Sequence, residues 1–131
     1  MKDLKRTLRF DYPREWHGGV KGNQYFLGFT ELLYELNKMI PSTNARMIEI
    51  GSYMGESTMM FASSDIFKEI NCIEPFTGYE EFNEMYDYSW EFVENEFKIN
   101  TRFFNNIILH KDFSYNVNNN FKDNDFDFVY I

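Results

Sequence analysis

Two acidic residues and two glycines carry the chemistry expected of this chain. Glu49 lies near the end of the apolar run Met47-Ile48-Glu49-Ile50. Gly51-Ser52-Tyr53-Met54-Gly55 follows at once, and Glu56-Ser57-Thr58 then opens a helical pattern. A strand that breaks at a tight glycine turn and passes straight into a helix brings backbone close to a ligand, with free helix N–H groups aimed at it. Glu74 ends the next apolar run, Ile70-Asn71-Cys72-Ile73. An ionised carboxylate there has two oxygens and can accept from both hydroxyls of a ribose, each charge-assisted bond contributing about 1.5–3 kcal/mol. Strand, glycine loop, helix and acid-tipped strand together describe a nucleoside-binding βαβ unit.

Glycine spacing narrows the ligand. The pyrophosphate of a dinucleotide lies on G-x-G-x-x-G, but Tyr53 occupies the place of the middle glycine. A bulky residue there obstructs a close-lying pyrophosphate. The pattern Glu49-x-Gly51-x-x-x-Gly55 therefore suits a ligand without phosphates, and an NAD-binding oxidoreductase domain is the weaker alternative.

Composition excludes several other classes. The net charge of -8 leaves no basic patch to hold nucleic acid or an anionic membrane surface. Lys2, Lys5, Arg6 and Arg9 read as a solvated terminal segment. The single cysteine, Cys72, cannot form an intramolecular disulfide and sits in an apolar run as a small buried residue. No apolar run approaches the ~18–20 residues of a membrane helix, and the charged Met1–Phe10 stretch lacks a signal peptide's apolar core. A cytoplasmic location is expected. No His/Cys/Asp spacing makes a metal site, and no serine or cysteine sits in a nucleophile constellation.

The elements that must position these residues alternate. Residues 1–23 read as an irregular N-terminal arm. From about Gln24 to Ile40 a helical stripe of Phe26, Phe29, Leu33, Leu36 and Ile40 recurs, ended by Pro41. The first strand spans Arg46–Ile50, a helix Glu56–Ser63, and the second strand Ile70–Glu74. A second long helix is expected within Tyr79–Asn100. Its apolar stripe is Phe82, Met85, Trp90, Val93 and Phe97; its solvated side is Glu80, Glu81, Glu84, Asp87, Glu91, Glu94 and Glu96. The third strand is Ile107–His110. Lys111–Asn124 is a polar connection with room for a short helix, and the fourth strand is Phe126–Ile131. Such alternation predicts an α/β fold, a Rossmann-like doubly wound parallel sheet of order 3-2-1-4 over residues 24–131. The ligand is then expected at the carboxyl ends of the strands.

Glu49-Ile50-Gly51-Ser52-Tyr53-Met54-Gly55-Glu56-Ser57-Thr58 resembles motif I of the class I S-adenosylmethionine-dependent methyltransferases. The likeness is nearest to the small-molecule O-methyltransferase branch and extends over about Thr30–Ile131. It implies S-adenosylmethionine as cofactor and a small-molecule hydroxyl, such as that of a sugar, as methyl acceptor. Gly51, Ser52, Tyr53, Met54, Gly55, Ser57 and Thr58 would then form the loop around the amino-acid part of the cofactor. Glu49 would orient the loop or the cofactor's ammonium, and Glu74 would grip the ribose. Pro75, Phe76, Asp112 and Phe113 would surround the adenine, with Asp112 accepting from its amine. Plainer roles stand beside these: Asp112 as a helix cap, Phe76 and Phe113 as core, and the whole chain as a non-catalytic binding or interaction module.

The resemblance also implies what this sequence lacks. Related enzymes carry an Asp-Gly or Asp-Ala step after the fourth strand, sometimes holding Mg²⁺. The sequence stops at Ile131, where that step would begin, so a divalent metal is not supported within the chain. The expectation is the N-terminal portion of a longer methyltransferase, its fourth-strand edge left for a second copy or a partner subunit. Candidates for a catalytic base are thin: His110 at the end of the third strand, and His17 and Tyr12 in the arm.

Overall fold

The computed structural model describes residues 22–40, 44–78 and 87–131. The expected arm residues Tyr12 and His17, the turn at Pro41, and Phe82, Met85, Glu80, Glu81 and Glu84 lie outside the described residues. The elements are α1 (Gly22–Met39), β1 (Ala45–Ile50), α2 (Glu56–Ser63), β2 (Phe67–Ile73), α3 (Trp90–Thr101), β3 (Ile107–His110), α4 (Ser114–Val117) and β4 (Phe128–Tyr130), with a 3₁₀ turn at Asn118–Asn120. The sheet has four parallel strands in the order β3-β2-β1-β4. It is the α/β sheet expected from the alternation of elements.

Side chains alternate across the strands and divide the core in two. On one face Met47, Ile70 and Cys72 pack with Phe29, Leu33 and Leu36 of α1, Met60 and Phe61 of α2, and Val93 and Phe97 of α3. Phe61 is fully buried and meets Phe29, Phe67, Phe128 and Tyr130, with ring centroids 4.8–6.0 Å apart. The other face is thinner. Ile48, Ile73 and Val117 form a small cluster flanked by Ile50, Phe121 and Phe126. Among the described residues only α4 and the 3₁₀ turn cover this face, and Val129 and Ile108 stay about half exposed.

Element boundaries differ from expectation for local reasons. β2 begins at Phe67, because a register shift opposite Ala45/Arg46 lets both Phe67 and Ile70 face the core; this irregularity, at the charged pair Lys68-Glu69, breaks the alternation that marks a strand in the sequence. β4 is shorter at both ends. Asp127 gives its backbone N–H to the Arg46 carbonyl and accepts the Arg46 N–H on its carboxylate, at 2.8 Å each, while Phe126 turns onto Phe121. Arg46 also donates to Glu69 and to the Asp125 carbonyl, so one residue ties β1 to both neighbours at the amino ends of the strands. α3 opens where Ser89 accepts the Phe92 N–H. Glu96, expected on its solvated side, is instead buried, at 9% exposure. No helix among the described residues is long and apolar enough to cross a membrane.

Candidate functional site at the carboxyl ends of β1 and β2

The loop after β1 turns through three left-handed residues, Gly51 (φ 84°), Tyr53 (φ 48°) and Gly55 (φ 77°). Gly51 gives its N–H to the Ile73 carbonyl at 2.9 Å, which pins the loop's start to the end of β2. A Cβ built on Gly51 meets nothing within 4 Å, so open space adjoins the backbone there. Gly55 is different. A Cβ on it falls 2.9 Å from the Phe97 ring and 3.1 Å from Thr101. The second glycine therefore serves the close packing of α3 on the loop.

Glu74 sits just past β2, where its N–H still reaches the His110 carbonyl at 3.1 Å. Its carboxylate is 6% exposed and joins two loops: one oxygen accepts the Tyr53 N–H at 2.9 Å, the other the Phe76 N–H at 3.1 Å. Each carboxylate oxygen has a further lone pair, so the group keeps acceptor capacity for a ligand diol. Gly51 and Glu74 thus lie at one mouth, linked through the backbone of Tyr53.

Glu49 works from beneath. It is fully buried, and its oxygens accept from the Ser57 and Thr58 hydroxyls, with the Cys72 thiol 3.7 Å away. Burial pushes its pKa up, and the hydroxyl donors oppose that rise. The carboxylate is placed to fix the first turn of α2 against β1. Thr58 and Met54 are buried with it, whereas Ser57 is half-buried. Burial, reinforced by the Glu49 charge, raises the Cys72 thiol far above its ordinary range and leaves it unreactive. Ser52 is 2% exposed, and its hydroxyl has no hydrogen-bond partner of good geometry among the described residues. It lies near enough to Glu49 to favour the charged form.

The expected adenine side is built mostly from plainer contacts. Phe76 is buried, adopts φ 51°, and sets its ring edge-on to Phe97 at 5.7 Å, so it belongs to the core. Pro75 beside it is half-buried. Phe113 stacks on Tyr115 at 5.3 Å and closes against Gly78. Asp112 is exposed and braces the start of α4, accepting from the Asn116 amide and the Phe113 N–H, which together hold its pKa below the usual value.

α3 and the residue just before its cap supply positions that local sequence did not flag. The Asn100 amide donates to the Met54 carbonyl at 2.9 Å, and the hydroxyls of Tyr53 and Tyr88 meet at 2.5 Å. These partners lie 46 and 35 residues apart in sequence, beyond the reach of any periodicity.

His110 is carried on the sheet face opposite Glu49, edge-on to Phe121. Asn71 donates its amide to Glu69 at 2.8 Å, so its oxygen faces His110 Nε2 at 2.9 Å, and that nitrogen carries the proton. Burial lowers the His110 pKa, partly offset by the Glu69 charge. A histidine with a depressed folded pKa takes up its proton first in the unfolded chain. Stability is therefore expected to fall as pH drops below the unfolded value of about 6.5. Urea midpoints at pH 7.5, 6.5 and 5.5 check this: the decline should shrink in His110→Gln, and an identical decline in both proteins would assign it elsewhere.

Among the described residues no group of three or more His, Cys, Asp or Glu comes together to hold a metal. The chain matches no model of a known protein family, and no curated protein matches it.

Proposed function

We propose that this chain provides the cofactor site for S-adenosylmethionine-dependent methyl transfer to a small-molecule hydroxyl. One observation carries the proposal: the loop that resembles motif I has open space at Gly51, and it is joined to the Glu74 carboxylate through the Tyr53 N–H at the carboxyl ends of two adjacent parallel strands. A parallel α/β sheet binds its ligand at that edge. The residues fit the group. Gly51 lets the amino-acid part approach the backbone, and Glu74 retains acceptor capacity for the ribose diol. Glu49 holds the loop from below, and α3 holds it from the side. The bound cofactor supplies a methyl group activated on a sulfonium; the protein's part is to align it with the acceptor and exclude water. Tyr53 keeps a side chain in the middle of the loop, which disfavours a pyrophosphate and with it NAD. A single cysteine, buried as a thiol, suits a reducing cytoplasmic setting.

Calorimetric titration of the chain with S-adenosylhomocysteine, with NAD as the comparison ligand, tests the proposal. Binding of S-adenosylhomocysteine near micromolar Kd, about -8 kcal/mol, is expected, with NAD much weaker. NAD binding without S-adenosylhomocysteine binding would overturn it.

A further inference from the structure

α3 carries a second apolar surface that the core of the described residues leaves exposed. Its inward face is Val93, Phe97 and Thr101, all buried. Phe92, Ile99 and Phe103 are 40%, 49% and 81% exposed. At ~100° per residue these three fall within about 40° of arc, and so form one narrow stripe. The helical path needed for this continues through Arg102 (φ -56°, ψ -24°). A stripe this narrow suits a short helix pair, with Asn95 beside it between Phe92 and Ile99.

The flanking charges identify the partner. Glu91, in the first turn, and Arg102, just past the last, lie on the same side of the stripe and are both exposed. Two neighbouring cations are engaged elsewhere, since Glu94 takes both Lys98 and Lys111 at 2.7 Å. The Arg102 guanidinium donates one N–H to the Ile99 carbonyl at 2.8 Å and lies over the Phe103 ring at 4.4 Å, which holds it next to the stripe with its other N–H groups outward. A helix with an acid at its start and a base at its end on one flank is complementary to itself only when antiparallel. Like flanks then meet, and both helix dipoles are favourably opposed.

We infer that α3 pairs antiparallel with α3 of a second copy of this chain about a twofold axis. Phe92 of each copy packs against Ile99 and Phe103 of the other, and Glu91 faces Arg102. The surface is small: α3 is ~18 Å long at 1.5 Å per residue, so one face falls short of the ~800 Å² per partner of a standard interface. The dimer is accordingly weak, with Kd on the order of 100 μM. Pairing does not depend on what the mouth at Gly51 binds.

Sedimentation equilibrium of the full chain at low salt, from ~10 μM to ~1 mM, tests the inference against that weak Kd. A monomer–dimer equilibrium is expected, abolished by Ile99→Glu with an unchanged circular dichroism spectrum. Glu91→Arg should weaken the dimer several-fold. Adding Arg102→Glu to it should restore wild-type affinity to within about twofold, because the ion pair is reversed rather than removed. A wild-type chain that stays monomeric throughout would overturn the inference. So would association that survives Ile99→Glu but is lost in Val129→Asp, which would place contact at the β4 edge. A charge reversal no better than Glu91→Arg alone would overturn the antiparallel arrangement.

Discussion

Phe61→Ala is expected to lower stability by about 3–5 kcal/mol, a large part of the ~5–15 kcal/mol that holds a small domain together. The ring is fully buried at the point where α1, α2, β2 and β4 meet. Truncation removes its apolar burial, leaves a cavity, and takes away four edge-on or tilted aromatic contacts, each worth about 0.5–1.5 kcal/mol beyond area. β4 depends on this ring more than the other strands do. Its register pairs only Phe128, Val129 and Tyr130 with β1, and two of those three side chains pack on Phe61. Urea unfolding measures the effect, with Met39→Ala, at a position 76% exposed, as the control expected within about 0.5 kcal/mol of wild type. A Phe61→Ala loss below about 1 kcal/mol would mean that α1, β2 and β4 are not held together through this ring.

The two glycines of the loop should separate under the same substitution. Gly55→Ala forces a side chain into a left-handed backbone, costing roughly 1–2 kcal/mol, and drives its Cβ to 2.9 Å from the Phe97 ring, an overpacking worth about 1–3 kcal/mol more. Gly51→Ala meets the same backbone penalty and open space, so its stability loss should stay near about 1–2 kcal/mol. Any loss of ligand binding beyond that would report the space beside Gly51. Unfolding midpoints of the two variants decide the matter. Phe97→Leu, which removes the obstructing ring edge, should recover part of the Gly55→Ala loss and none of the Gly51→Ala loss. Equal losses, with no recovery, would show that Gly55 is required by conformation alone.

Much of the architecture was legible because it is local. α2 follows the glycine turn with Glu56 and Ser57 in its first turn, and the structure places it at Glu56–Ser63. β3 is a short apolar run between polar turns and appears at Ile107–His110. The parallel order follows from alternation and right-handed crossovers. The errors came where a charged residue interrupts a strand or a long-range contact ends one. Lys68-Glu69 concealed the first half of β2, and the paired hydrogen bonds between Asp127 and Arg46 shortened β4. Glu96 looked like a solvated acid by composition and is buried by tertiary packing.

At the site, the positions of Gly51 and Glu74 could be read from the order of residues, since a parallel sheet brings adjacent strand ends together. Their partners could not. That Glu74 accepts the Tyr53 and Phe76 N–H groups, and that Glu49 turns inward to Ser57 and Thr58, depends on backbone directions no spacing encodes. The grip on the loop by Asn100 of α3 and by Tyr88 just before the helix is equally nonlocal. The requirement for glycine at position 55 belongs to this grip, although the sequence suggests close approach of a ligand.

The central claim is that the mouth shared by Gly51 and Glu74 binds S-adenosylmethionine and its product. The most direct measurement is calorimetry of S-adenosylhomocysteine on the wild type, Glu74→Gln and Glu74→Ala, each shown folded by circular dichroism. Loss of two charge-assisted bonds, at about 1.5–3 kcal/mol each, should weaken binding at least ~100-fold in Glu74→Ala. Glu74→Gln, which keeps one acceptor oxygen, should fall between. Wild-type affinity in a folded Glu74→Ala protein would contradict the claim, because the ligand would then bind without the carboxylate that defines the mouth.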